Sequence, residues 1–138
     1  MSSMQPPSKV KDVFWLQAKR KTGAYPKSSE DGGKWLVFVP VAEVDSVWEN
    51  IRRATEEGKL GGSSKVSTAR PNENTRNPNE KVICVYTHDC NDEADVKRIR
   101  EELRKLGVTS EIPYKTNKKT LEGKYAVRGD RGIAKIVL

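Results

Sequence analysis

The sequence predicts an α+β fold, with a mainly antiparallel sheet and its helices gathered on one face. Three observations carry this expectation. Apolar residues recur at steps of three and four over 44–54 and again over 96–106, the spacing of amphipathic helices. Short runs rich in β-branched and aromatic residues elsewhere have the length of strands. The polar Asn/Pro-rich segment 71–80 joins two of those runs directly, which makes the pair an antiparallel hairpin. The element order is β-β-α-β-β-α-β-(β)-β, mixing hairpins with helices and showing no internal repeat.

Along the chain, residues 1–11 read as a flexible lead-in and 12–138 as a single domain. Val13–Leu16 is a short strand, followed by a basic and then Ser/Gly-rich loop over 19–34 with turn chemistry at Asp31-Gly32-Gly33. Trp35–Val39 is apolar at every position, as a central strand covered on both sides would be, and Pro40 ends it. Val44, Val47, Trp48, Ile51 and Ala54 form the buried stripe of the first helix, with Glu43 and Glu49 on its polar side and Gly58 as its stop. A strand over 64–69 and another over Val82–Tyr86 flank the 71–80 loop. Asn91 or Asp92 caps the second helix, whose stripe is Val96, Ile99, Leu103 and Leu106 and whose stop is Gly107. Ile112–Lys115, Tyr125–Val127 and Ile133–Leu138 are the remaining strand candidates.

A chain of 138 residues has room for one real core, and 35% hydrophobic content grouped in strong runs argues against global disorder despite 33% charged residues. The apolar run 35–42 is too short to span a bilayer, and no apolar leader opens the chain, so neither a membrane span nor a signal peptide is expected. Two cysteines and one histidine do not make a disulfide framework or a zinc site, and no cofactor or metal is expected. The expected location is the cytoplasm or the nucleus. The net charge of +7 is concentrated at the two ends. Lys9, Lys11, Lys19, Arg20, Lys21 and Lys27 face only Asp12 before residue 30, and residues 112–138 are similarly basic. Such ends attract phosphate, RNA or acidic peptide, and they equally serve solubility.

The chemistry-bearing residues are few. In Lys65-Val66-Ser67-Thr68-Ala69-Arg70, strand alternation puts Lys65 and Ser67 together on the face away from the helices. A lysine beside a small hydroxyl can hold an oxyanion or, when desolvated, act as a base; an ordinary solvated lysine fits the same pattern. His88, the single histidine, follows Tyr86-Thr87 at a strand-to-helix junction, where it can act as an acid oriented by Asp89 or be a loop residue without chemistry. Tyr114-Lys115 and Lys124-Tyr125, with Arg128 beyond, interleave rings and cations as phosphate or base grips do, and tyrosines that pack while their lysines snorkel fit the same pattern equally well. Trp48 belongs to the core, and packing is the expected role of Trp15 and Trp35 as well. No dinucleotide or P-loop glycine spacing occurs.

Gly33-Lys34-Trp35-Leu36-Val37-Phe38, Val44-Asp45-Ser46-Val47-Trp48, Gly58-Lys59-Leu60-Gly61, Lys65-Val66-Ser67-Thr68-Ala69, Val82-Ile83-Cys84-Val85-Tyr86-Thr87 and Tyr114-Lys115-Thr116 occur in that order. This series, spread over about residues 13–125, resembles the family of the basophilic-leukaemia-expressed protein, whose members are often labelled phosphothreonine lyase domain proteins. The resemblance implies a curved antiparallel sheet backed by helices, like the fold of the messenger-RNA cap-binding initiation factor. The lyase label implies β-elimination of phosphate, with a lysine base and a histidine acid in a Lys-x-His strand signature. Here the comparable stretch is Lys65-Val66-Ser67, with serine at the histidine position.

Two functions follow as expectations. The first is a phosphate or other anion site formed by Lys65, Ser67, Arg70, Tyr114, Lys115, Lys124 and Arg128, lyase-like if Lys65 serves as base and His88 as acid. The second is a non-enzymatic nucleotide or RNA (cap-like) binder, or a protein-interaction module. The partners would be a phosphorylated peptide or a nucleotide, not a membrane.

Overall fold

A computed structural model describes residues 6–70, 79–116 and 136–137. Among them, strands β1 (Trp15–Lys19), β2 (Gly33–Pro40), β3 (Ser63–Ser67), β4 (Glu80–Thr87), β5 (Pro113–Thr116) and β6 (Ile136–Val137) form one sheet in the order β1-β3-β4-β2-β5-β6. Every neighbouring pair is antiparallel. Helices α1 (Val41–Glu56) and α2 (Glu93–Lys105) share one hydrophobic core against this sheet.

Strand alternation decides which side chains meet the helices. Ala18, Val66, Ile83, Val85, Trp35, Val37, Val39 and Tyr114 point inward and are buried with Val44, Trp48 and Ile51 of α1 and Val96, Ile99 and Leu103 of α2. Fully burying a side chain of this size contributes about 1.5–3 kcal/mol relative to leaving it exposed. Trp35 is the hinge of the arrangement: its indole N–H donates to the Val96 carbonyl of α2 at 3.0 Å, so one residue ties the central strand to the second helix. Both helix stripes follow the predicted spacing.

The helix ends also follow from local chemistry. Pro40 closes β2 and supplies the extended residue before α1. Gly58, at φ +82°, turns the chain out of α1 in a conformation that disfavours a side chain. Asp92 caps α2 by accepting from the Asp95 amide at 3.2 Å. Arg100 lies on the buried side of α2, where its guanidinium donates to the carbonyls of Val108 and Ser110 at 2.8 Å each and fixes the return toward β5.

Several expectations are corrected. The first strand runs Trp15–Lys19, not Val13–Leu16, because Ala18 turns inward while Gln17 and Lys19 alternate outward. Ahead of it, the Val13 carbonyl accepts from the Thr68 hydroxyl, and Val13 and Phe14 stay exposed. Phe38 is exposed, so β2 is not covered on both sides along its whole length. The lead-in is anchored from Pro7 onward. Ser8 bonds Asp45 of α1 through its amide at 2.9 Å and its hydroxyl at 2.5 Å, and the Ala69 amide donates to the carbonyls of Pro7 and Val10. The strand expected over Tyr125–Val127 lies outside the described residues, and of the terminal candidate Ile136–Val137 is described as strand.

Candidate functional site

The side of the sheet away from the helices carries the candidate site. In register across it lie Gln17 of β1, Lys65 of β3, Cys84 of β4 and Leu36 of β2; the neighbouring row runs through Tyr86, Lys34 and Lys115. Leu36 and Cys84 form a nearly buried apolar floor. Around it, the Lys65 ammonium lies 4.1 Å from the ring centroid of Trp15 and 6.0 Å from that of Tyr86. The Lys34 ammonium is also 6.0 Å from the Tyr86 ring. Cations and rings at these distances attract one another through the ring quadrupole.

The electrostatics reflect crowding of positive charge over an apolar floor. Partial burial holds the Lys34 ammonium below the usual lysine range, and the ammonium groups of Lys65 and Lys115 push it further the same way. Burial raises the Cys84 thiol, with Lys65 and Lys34 pulling against that. Burial likewise raises Tyr86, so both stay protonated at neutral pH. Lysine ammonium groups placed this way have the chemistry of charge-assisted hydrogen-bond donors to phosphate oxygens.

His88 belongs to a different neighbourhood. Its Nε2 meets the Asp92 carboxylate at 3.0 Å, and its ring stands edge-on to Tyr25 at 5.3 Å. The orienting carboxylate is therefore Asp92, not Asp89, which instead accepts from the Asn91 amide at 2.8 Å. Lys65 pairs with Cys84, four residues before His88 on β4, roughly 13 Å of strand. Its side chain leans toward Trp15, whose register partner Ser67 lies on the side away from His88. The structure does not bring the two residues together. His88, Asp92 and Asp95 do place ligand atoms within 4.8 Å of one another. Asp95 is already engaged by Tyr25 and Arg98, and Asp92 caps the helix, so the group reads as an ion-pair network at the start of α2.

Of the other expected site residues, Lys115 is on the open face beside Lys34. Ser67 is there too, but its hydroxyl accepts from the Val82 amide at 3.0 Å and extends the β3–β4 pairing. Arg70 sits past the end of β3, its guanidinium 4.2 Å from the Phe14 ring and bonded to the Asp12 carbonyl. Tyr114 is placed in the core rather than at a ligand, packed edge-on against Trp35 at 5.1 Å, because its neighbour Lys115 takes the outward position. Lys124 and Arg128 lie outside the described residues. Sequence reasoning missed Trp15, Lys34 and Tyr86. The signal was present in the outward alternation Trp15/Gln17/Lys19 and Lys34/Leu36/Phe38, although periodicity alone does not say which strands become neighbours.

Among the described residues, an antiparallel sheet with α1 and α2 on one side makes an α+β protein with a fold like that of the cap-binding initiation factor. A schistosome eIF4E solved with m7GpppA and 4E-BP superposes with a TM-score of 0.57 at 16% identity, over 79% of this chain and 60% of that one. Ascaris suum eIF4E-3 solved with an m2,2,7G cap gives 0.54 at 22%, over 78% and 58%. The chain thus spans about 60% of the length of these structures, and the likeness is one of fold. It belongs to the family described as basophilic leukemia-expressed protein Bles03, whose profile matches residues 29–120.

Proposed function

We propose that the open face of the sheet binds a nucleotide or an RNA end without catalysing a reaction on it. The observation that carries this reading is the convergence of Trp15, Tyr86, Lys34, Lys65 and Lys115 on one face over an apolar floor. A base stacks on an aromatic ring, and the lysines accept the phosphates as charge-assisted hydrogen-bond donors. The two solved structures of the same fold carry nucleotides, which supports a ligand of that broad class here.

The test is a fluorescence titration of the whole chain with GTP at rising salt. The expected result is saturable quenching whose affinity falls as salt increases, since counterions compete for the lysines. Absence of quenching at low salt would remove the proposal.

A further inference from the structure

We infer that Lys65 sets the ligand class of this face: its ammonium fills the cation slot between Trp15 and Tyr86, so the face selects nucleotides with a neutral base over those whose base is itself cationic, such as 7-methylguanine. The inference rests on the nucleotide-binding reading above and goes further by saying which nucleotides.

An aromatic ring face attracts one cation strongly, and a second cation must then compete with the first. The Lys65 ammonium is already 4.1 Å above Trp15, and Tyr86 has Lys65 and Lys34 each at 6.0 Å. A positively charged base stacking on Trp15 displaces Lys65 and loses the existing cation–π contact. It also comes to rest beside the ammonium group of Lys65. A neutral base gives up the same contact but meets no like charge, and its phosphates gain the displaced ammonium as a partner.

The charge balance of the face points the same way. By alternation, Lys19 and Lys65 hold outward positions on β1 and β3, which carry no carboxylate, and on β4 the carboxylate is that of Glu80. Glu80 pairs with Pro40 at the far end of β2 from Lys34, and on β4 it lies two strands from Trp15. Burial first, and then the like charges of Lys65 and Lys115, hold the Lys34 ammonium below the usual lysine range. A further cation meets the same repulsion.

The experiment compares GTP with 7-methyl-GTP on the whole chain, at one pH and one salt concentration, by calorimetry and fluorescence. GTP is expected to bind at least several-fold more tightly. Lys65→Ala should erase or reverse that preference, while Lys65→Arg, which keeps a cation over Trp15, should preserve it. Circular dichroism checks that each variant is folded. Equal or tighter binding of 7-methyl-GTP by the wild-type chain, or an unchanged ratio in Lys65→Ala, overturns the inference and leaves nucleotide binding standing. Binding of neither nucleotide overturns the nucleotide reading, and this inference with it.

Discussion

Tyr114 reaches across Gly33 to hydrogen-bond Thr87, hydroxyl to hydroxyl at 2.6 Å. The strands of the two residues are not neighbours: β2 lies between β4 and β5, and Gly33 pairs with Thr87 on one side and Thr116 on the other. A β-carbon at Gly33 would strike the Tyr114 ring and lie 2.8 Å from the Lys115 carbonyl. The glycine before Lys34-Trp35 is thus explained by the ring that crosses it. Burial, together with nearby carboxylates, raises the Tyr114 hydroxyl to about 12, keeping it protonated for this bond.

Gly33→Ala should therefore destabilise the fold by about 1–3 kcal/mol, the usual cost of overpacking a well-filled site. Chemical denaturation measures it. Adding Tyr114→Phe, which removes the oxygen the new methyl group meets, should recover part of the loss. No recovery would show that the backbone contact with Lys115 dominates.

Trp15 is the indole placed to report on a ligand. Trp35 and Trp48 are buried in the core at 0% and 3% exposure, whereas Trp15 stands partly exposed on the lysine face. Trp15→Phe should abolish most nucleotide-induced quenching while retaining a ring that a base can stack on. Calorimetry on the same variant should still detect binding, weakened by up to about tenfold. Unchanged quenching would place the ligand elsewhere.

Lys34 gives the site a pH dependence of definite sign. Its pKa is lowered in the folded chain, so between that value and the ordinary 10.5 the unfolded chain binds more protons and stability rises with pH. Phosphate binding acts in the opposite sense, favouring the ammonium and drawing a proton back. Affinity should fall as pH rises through the lowered Lys34 value, with proton uptake on binding detected by calorimetry in buffers of different ionisation heat. Lys34→Met should flatten both effects.

A phosphothreonine peptide should survive incubation. Lys65 leans toward Trp15, and His88 is held by Asp92 and Tyr25, so base and acid do not face one substrate. Mass spectrometry should show no loss of phosphoric acid over a period in which an active lyase converts the peptide completely. Appearance of the dehydrated product would require a rearrangement of this face.

The helices and the hairpin were legible in the sequence because their signals are local: the Val44–Ala54 and Val96–Leu103 stripes, the stop at Gly58, the loop between β3 and β4. The chain's series of short motifs likewise pointed to the right fold. The site was legible in part. Lys65 was found as an outward lysine and Lys115 as a grip candidate, but their companions Trp15, Lys34 and Tyr86 come from strands whose order, β1-β3-β4-β2-β5, no local pattern states. Tyr114, offered as a ligand residue with packing as the equal alternative, packs, and for a related reason this was not legible: alternation shows that it and Lys115 point oppositely, but not which of them meets the helices. His88 drew attention as the single histidine, and its partner Asp92 lies one helical turn on, where a capping residue was already expected.

The β1–β3 pairing has a consequence for how the molecule assembles. Trp15 and Lys65 are about fifty residues apart in the chain, with β2 and all of α1 between them, yet they meet through adjacent strands. Closing so long a loop is entropically costly and gains little until the intervening helix has packed. The ring–ammonium contact is thus non-local, present only when β1 and β3 lie side by side. The partly exposed indole of Trp15 therefore reports the pairing of β1 with β3, whereas Trp35 and Trp48 report the packing of the core.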